Sequence, residues 1–200
     1  MTDWTSLSYA VTDVEGNGQQ PPDLVELAVL PITDGTIGEP VTWLVKPPRP
    51  IKYFATRIHG ISGEDVASAP AFADIRHEVC RALAGRVIVA HNAHVDTGVL
   101  ARELGDWDSP EIFDTLKLAR RLLPGQPSYK LGALVKALSL DDEMPPGLVP
   151  HRAAYDVLVT ARLFVRLATG HDGNPVPLDE LRGQPADHKP GGTDETASLF

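Results

Sequence analysis

Two acidic residues, Asp13 and Glu15, lie two positions apart where the apolar segment SYAVTD gives way to VEGNG. Because side chains of a strand alternate between its two faces, both carboxylates point the same way. Neighbouring carboxylates repel each other unless a positive charge lies between them, and oxygen-only ligands favour Mg²⁺ or Mn²⁺ over zinc. The pair is therefore a candidate site for a divalent cation. Two solvated acids at an exposed strand end are the alternative.

A third carboxylate, Asp96, follows another predicted strand. It comes after the apolar run at residues 86–90 and a turn at residues 91–93. In open α/β sheets, binding sites form where strands end and loops or helices begin. Asp96 therefore belongs to the same candidate site. The alternative is an acid in the first turn of a helix, where the helix dipole favours negative charge.

His151 and Asp156 lie five residues apart in the segment PHRAAYDVLVTARL. On a continuous helix this spacing turns two side chains about 140° away from each other, so one face does not present both. Pro150 disfavours helical backbone at Val149 and marks a boundary. His151 can then lie on the loop or first turn, while Asp156 projects from the helix. A general base beside a metal ligand fits this arrangement, and a capping or surface histidine is the alternative.

The elements that must position these residues change in type along the chain. Val- and Leu-rich segments separated by turns predict an antiparallel meander of strands at residues 8–13, 23–30 and 36–45. Apolar spacings of three to four then predict helices, interrupted by short apolar strands. The helices cover residues 71–83, 93–104, 114–123, 130–138 and 153–168, and the strands cover residues 86–90 and 111–113. This order predicts one α/β domain over residues 1–170, with a mixed sheet flanked by helices.

Residues 171–200 are rich in proline and glycine and poor in large apolar side chains, so we expect a mostly flexible acidic tail with a short helical turn at residues 178–181. The net charge of −9 is unusual for an enzyme that acts on nucleic acid, but six acidic and two basic residues of the chain lie in this tail. Residues 1–170 then carry −5, and two divalent cations would bring that part near neutrality. The charge permits a nucleic-acid substrate without predicting one.

Cellular location is the subject of two further expectations. No segment approaches the roughly 20 apolar residues that cross a bilayer, and the first residues, MTDWTSLS, lack the basic start and apolar run of a signal peptide. The single cysteine, Cys80, excludes an internal disulfide and fits a reducing compartment. We therefore expect a cytoplasmic protein without membrane contact. Because Cys80 lies in a helical segment, we expect a buried structural thiol.

The order of the candidate residues and their flanking sequence resemble a known family. VTDVEGNG, IHGIS, VAHNAHVDTGVL and HRAAYD follow one another between residues 8 and 168 and resemble the DnaQ-like DEDDh 3′–5′ exonucleases. FDTLKLARRLLPG and MPPGLVPHRAAYDVLVTARL are similar to the exonuclease X branch of that family. The resemblance implies a ribonuclease H-like fold and two-metal hydrolysis of terminal phosphodiesters. It favours a nucleic-acid substrate with a free 3′ end, DNA rather than RNA, and a role of the enzyme in DNA repair.

The resemblance also assigns roles to the five site residues. Asp13, Glu15 and Asp156 would hold two Mg²⁺ ions, for which Mn²⁺ can substitute. Asp96 would complete the shell directly or through water, and His151 would deprotonate the attacking water.

Five further residues are candidates for contact with the substrate. Gly16, Asn17 and Gly18 form a loop whose glycines permit close backbone approach to the terminal nucleotide. His59 and Asn92 occupy family positions near that nucleotide. For His59, a role in packing the loop is an equal alternative.

Two positions depart from the family pattern: Gly16 replaces a threonine, and Val95 a phenylalanine, that the family more often has there. These departures concern the grip on the 3′ end and leave the metal chemistry unchanged. Four basic residues are candidates for phosphate contact, with a solvated helix face as the alternative: Lys117, Arg120, Arg121 and Lys130.

Other functions remain open from the sequence. A polymerase proofreading subunit or an RNA-trimming exoribonuclease would use the same chemistry. A non-catalytic nucleic-acid-binding module is disfavoured because all five site residues are present. A structural calcium site would leave His151 without a role, since calcium takes oxygen ligands.

Overall fold

The computed structural model describes residues 3–108, 110–170 and 173–183 of the chain. After a 3₁₀ turn at Trp4–Ser6, the strands are β1 (Tyr9–Gly16), β2 (Leu24–Thr33), β3 (Thr36–Ile37), β4 (Val41–Leu44), β5 (Val87–Ala90) and β6 (Ile112–Asp114). The helices are α1 (Tyr53–His59), α2 (Phe72–Leu83), α3 (His94–Leu104), α4 (Thr115–Leu122), α5 (Leu131–Leu138), α6 (Ala153–Thr169) and α7 (Leu178–Leu181).

The six strands form one mixed sheet in the order β3-β2-β1-β5-β6, with β4 also paired to β2. The strand β1 is antiparallel to β2, and Glu15 lies opposite Glu26 in their register. On its other side β1 is parallel to β5, which is parallel to β6. The mixed sheet predicted from the sequence is confirmed. Since β1, β5 and β6 are parallel, the segments that follow them leave the sheet at one edge, where a site is expected.

The third predicted strand, residues 36–45, was wrong as one element. The structure divides it into β3 and β4, which pair with opposite ends of β2. Between them, the N–H of Gly38 donates to the carbonyl of Pro31 at 2.9 Å, and Pro40 has no N–H to give to a ladder. The chain therefore bends between the two pairings.

Both faces of the sheet are covered, so the side chains of β1 enter two different core regions. Tyr9 and Val11 point to the face covered by α6, and Ala10 points to the face covered by α2 and α3. Phe164 of α6 packs on Tyr9, with ring centroids 4.9 Å apart. This packing fixes the strand that carries Asp13 and Glu15.

The thiol of Cys80 is exposed, which corrects the predicted buried position. In α2 the buried stripe includes Val79 and Leu83. Consecutive helical residues point about 100° apart, so Cys80 follows Val79 out to solvent.

The predicted helical turn at residues 178–181 is confirmed as α7, and Leu178 and Leu181 are buried in the α6 side of the core. Residues 171–172 and 184–200 of the predicted tail lie outside the described residues, so its flexibility and the boundary at residue 170 stay predictions. Among the residues that the structure describes, no helix is long and apolar enough to cross a membrane.

Candidate active site

Three carboxylates converge where β1 and α6 meet. Asp13 and Glu15 lie in the second half of β1, two residues apart and on one face. Asp156 lies in the first turn of α6, which packs against β1. Each of the three offers an oxygen, and these oxygens all lie within 4.8 Å of one another. The geometry therefore assembles the predicted acidic cluster from residues more than 140 positions apart in sequence.

Asp96 joins the cluster from a different direction. It lies in the first turn of α3, is only 5% exposed, and accepts a hydrogen bond through Oδ1 from the N–H of Val14 at 3.0 Å. Val14 is the residue between Asp13 and Glu15, so Asp96 braces the backbone that presents them. The two readings of Asp96 from the sequence are compatible, because it is both a first-turn acid and a neighbour of the cluster.

Burial and mutual repulsion raise the pKa values of these carboxyl groups. Desolvation, followed by repulsion from Asp96 and Asp156, raises the pKa of Asp13 well above its usual value. The same causes, with burial first, raise the pKa of Glu15 to about 8. Burial also raises the pKa of Asp96 to about 7 and that of Asp156 to about 6. Without a counter-charge, part of the cluster holds protons at neutral pH.

The cluster fits a divalent cation. Asp13 Oδ2 is buried and has no hydrogen-bond partner among the described residues, and a buried polar atom of this kind calls for an explanation such as an ion. The three converging groups supply only oxygen ligands, which suit hard cations such as Mg²⁺ or Mn²⁺. A cation would also remove the repulsion that keeps these groups protonated.

His151 lies directly beside this cluster, outside helix α6. Its φ is 63°, a left-handed conformation, and its side chain is exposed. Helix α6 begins two residues later, after Arg152 as N-cap. The loop position predicted from Pro150 is confirmed. Electrostatic attraction to His151 offsets part of the upward pKa shift that burial causes at Asp156.

An ion pair between a buried glutamate and a half-buried arginine holds the start of α6, and the sequence analysis did not predict it. Glu26 of β2 accepts from Arg152 Nη2 at 2.5 Å and from Nε at 3.0 Å, and also from the backbone N–H of Ala153 at 3.0 Å. One side chain thus binds the N-cap residue and satisfies one free N–H of the helix start. The signal in the sequence was an acid within the apolar run LVELAVL, since a buried charge needs a partner.

Comparison with known proteins decides the family. A protein-family model described as "Exonuclease", of the RNase T type, matches residues 10–164. The chain belongs to the exonuclease family.

Two relatives and one solved structure show how close the similarity is. This exonuclease is 36% identical to exodeoxyribonuclease 10 of Escherichia coli K12 over 176 residues, which cover 88% of this chain and 76% of the relative. It is 32% identical to the 3′-5′ exonuclease DinG of Bacillus subtilis over 182 residues, 87% of this chain but 19% of DinG. Exonuclease X in complex with 5′ overhanging duplex DNA matches with a TM-score of 0.68 and 38% identity, over 80% of this chain and 91% of that one. The predicted family, hydrolase class and ribonuclease H-like fold are confirmed.

The loop at residues 16–18 is held firmly in this exonuclease. Asn17 is fully buried; its Nδ2 donates to Asp23 Oδ2 at 2.6 Å, and its Oδ1 accepts from the N–H groups of Asp23 and Gln19. Its backbone N–H and carbonyl are also paired, with Asp23 and Lys52. The predicted substrate contact through Asn17 is therefore not supported by its surroundings, because its polar groups all have partners within the protein. It braces the loop instead.

The two glycines of this loop meet different constraints. Gly18 has a φ of 76°, and a Cβ there would lie 2.7 Å from Cζ of Phe54. The positive φ favours glycine, and an added Cβ would also push the ring of Phe54 aside. At Gly16 a Cβ would lie 3.0 Å from Cβ of Pro22. Their contact with the substrate stays a prediction.

His59 and Asn92 have different surroundings in this exonuclease. His59 is buried, its Nδ1 accepts from the N–H of Ile61 at 3.0 Å, and burial lowers its pKa. It is therefore a neutral ring that packs the loop, and its contact with a nucleotide stays a prediction. Asn92 has a φ of 64°, its N–H donates to Asp114 Oδ1 at 3.0 Å, and it lines the groove described next.

A groove of about 1010 Å³ is lined by residues of the acidic cluster, of α4, of α5 and of the start of α6. Asp13, Asp156 and His151 are among its lining residues, and so are the basic residues Arg120 and Lys130. Two of the four candidate phosphate contacts, Arg120 and Lys130, therefore share a groove with the acidic cluster, and their contact with phosphate stays a prediction. Lys117 and Arg121 instead line a different cavity, and Arg121 donates to the carbonyl of Leu181 at 3.0 Å.

Proposed function

We propose that this exonuclease removes nucleotides from the 3′ end of DNA by metal-dependent hydrolysis and releases nucleoside 5′-monophosphates, in a repair role. The observation that carries the proposal is the convergence of Asp13, Glu15 and Asp156 near His151, in a chain that belongs to the exonuclease family. Asp13, Asp156 and His151 line one groove together with the basic residues Arg120 and Lys130.

In this proposal two Mg²⁺ ions bind at the cluster. Asp13, Glu15 and Asp156 would hold them, with Asp96 acting through water or through its brace on Val14. When bound, such ions lower the pKa of water and stabilise the attacking and leaving oxygens of a phosphodiester displacement. The repulsion that raises the pKa values of these carboxyl groups favours cation binding, because a cation between them offsets their negative charges.

His151 takes the proton from the attacking water. It is exposed on a loop, so it can approach a substrate-bound water and exchange its proton with solvent. The negative charge of Asp156 would stabilise the imidazolium that forms, since Asp156 and His151 line the same groove. A general base of this kind contributes roughly 10²- to 10⁴-fold to a rate.

DNA is proposed as the substrate on the strength of the relatives. Exodeoxyribonuclease 10 acts on DNA by its name, and the matching exonuclease X structure holds duplex DNA. Arg120 and Lys130 along the groove fit a phosphate backbone. The cytoplasmic location expected from the sequence remains a prediction.

One experiment tests reaction, direction and substrate together. The purified enzyme is given single-stranded DNA, duplex DNA and RNA of one sequence, labelled at the 5′ end, with Mg²⁺, Mn²⁺ or EDTA. We expect a ladder of 5′-labelled products that shortens from the 3′ end, on DNA faster than on RNA, and none in EDTA. Immediate release of a labelled mononucleotide would show attack from the 5′ end, and equal cleavage in EDTA would remove the metal from the mechanism. Faster loss of RNA would instead support an exoribonuclease.

A further inference from the structure

Helix α1 exposes three large apolar side chains within six residues. Tyr53 is 76% exposed, Phe54 is 54% exposed and Ile58 is 55% exposed. Large apolar side chains exposed singly are ordinary, but a contiguous group usually marks a binding surface. With the exposed Lys52 and Arg57 these residues form the α1 patch. The sequence reading did not predict α1 as a helix.

The α1 patch is continuous with the loop that follows the metal ligand Glu15. The ring of Phe54 packs over Gly18, so closely that a Cβ at residue 18 would lie 2.7 Å from Cζ of Phe54. The N–H of Lys52 donates to the carbonyl of Asn17 at 2.9 Å. Because Asn17 is itself fixed by Asp23, the patch has a rigid position next to the site.

The patch combines aromatic faces with positive charge. The guanidinium carbon of Arg57 lies 6.0 Å from the ring centroid of Tyr53, within the range of a cation–π contact. Lys52 lies one residue before Tyr53 and is exposed. This positive charge contrasts with the acidic cluster and with the net charge of −9. Aromatic faces beside cations are the features that bind single-stranded nucleic acid, through stacked bases and the phosphate backbone.

We propose that the α1 patch binds nucleobases of the DNA next to the reacting 3′ end, by stacking on Tyr53 and Phe54 while Lys52 and Arg57 attract the backbone. The proposal rests on the proposed function, since it names how the same site holds its substrate. It explains why the protein keeps two aromatic rings in solvent at this place. It also explains the need for glycine at residue 18, because a side chain there would displace the ring of Phe54.

The test compares two kinds of substrate. The variants Tyr53→Ala, Phe54→Leu and the double variant are measured on a single-stranded oligonucleotide and on the p-nitrophenyl ester of thymidine 5′-monophosphate. The ester reports hydrolysis at the metal site but offers no neighbouring base. We expect KM for the oligonucleotide to rise about 5- to 100-fold for loss of stacking, with ester hydrolysis within about twofold of wild type. Tyr53→Phe keeps the ring and should restore the wild-type KM.

Oligonucleotides with one abasic position identify the contacted base. In the wild type, an abasic position at the stacked nucleotide should raise KM by the same factor as Tyr53→Ala. In the variant the same abasic substrate should cause no further rise, because the interaction is already lost. The control is Val41→Ala, since Val41 is also exposed, at 50%, but lies on strand β4. Its KM should not change.

Three results would overturn the proposal. One is an unchanged KM in the double variant, which would leave the patch to another occupant such as a protein. Another is an equal loss on the ester and the oligonucleotide, which would mean that the substitutions disturb the metal site itself. The third is a wild-type enzyme that releases nucleotides from no substrate, in which case the proposed function and this proposal both fail. An active enzyme whose KM does not change in the patch variants would refute only the role of the α1 patch.

Discussion

Removing the carboxylate of Glu26 tests how the start of α6, and with it His151 and Asp156, is held in position. The Glu26 side chain is 4% exposed and binds both the guanidinium of Arg152 and the N–H of Ala153. Arg152 is the residue between His151 and the helix. The substitution Glu26→Ala removes both interactions, and Glu26→Gln removes the negative charge but keeps an oxygen that can accept a hydrogen bond.

The magnitude follows from what each substitution leaves unpaired. Glu26→Ala strands the N–H of Ala153, whose residue is fully buried, at a cost of about 1–3 kcal/mol. The Arg152 side chain is 38% exposed, so water replaces part of its lost bonds, and this loss adds about 1 kcal/mol. The free energy of unfolding should therefore fall by about 2–4 kcal/mol. Glu26→Gln keeps an oxygen for the Ala153 N–H and should cost about half as much.

Urea unfolding measures these losses, and single-turnover hydrolysis measures the effect on the site. A displacement of a catalytic group by about 1 Å can cost on the order of 100-fold in rate, so we expect kcat to fall about 10- to 100-fold in Glu26→Ala. The matched control is Glu111→Gln. Glu111 pairs with Arg182 at 2.7 Å, but both side chains are about one-third exposed, so the loss should stay below about 1 kcal/mol.

Two results would refute this reasoning. An equal loss of stability in Glu26→Gln and Glu111→Gln would mean that burial adds nothing to the Glu26–Arg152 pair. Wild-type turnover in a stable Glu26→Ala variant would show that His151 and Asp156 keep their positions without it.

Three further predictions concern the cluster and its loop. The stability of the metal-free enzyme should fall as pH rises from about 4.5 to 8, because native Glu15, with a pKa of about 8, keeps a proton that the unfolded chain releases from 4.5 upward. Urea unfolding in EDTA at a series of pH values measures this fall, and Mg²⁺ should flatten the profile. A free energy of unfolding that rises with pH would contradict the prediction. His151→Ala should lower kcat at least 100-fold while the Mg²⁺ concentration for half-maximal rate changes less than about threefold, and parallel losses in both would remove His151 as the base. Gly18→Ala should lower the free energy of unfolding more than Gly125→Ala and should also raise KM for the oligonucleotide. Both positions have positive φ, but only at Gly18 would the added Cβ lie within 3 Å of a ring. Equal effects of the two substitutions in urea unfolding and in KM would mean that the contact with Phe54 is irrelevant.

Much of the fold followed from local patterns. The amphipathic spacing in α2 and α6 and the apolar runs of β1, β2 and β5 were sufficient to predict a mixed sheet between helices. The third strand was divided because pairing to two ends of β2 is a tertiary choice. Helix α1 was not predicted, and its apolar residues Phe54 and Ile58 are exposed while only Ala55 and His59 are buried. Its contacts with Gly18 and Asn17 are tertiary.

The sequence by itself determined which side chains share a face of their element and which do not. Carboxylates two apart on a strand must share a face, and Pro150 must separate His151 from the helix that carries Asp156. Both conclusions depend on short-range geometry, which the sequence contains.

Only the tertiary structure decided which groups meet and which are already satisfied. It placed the oxygens of Asp13, Glu15 and Asp156 within 4.8 Å of one another and turned Asp96 towards the Val14 backbone. It also showed Asn17 fully paired within its loop. Hydrogen-bond partners arise from contacts between distant segments, so a local pattern such as the acid in LVELAVL can indicate that a partner is needed but does not identify it.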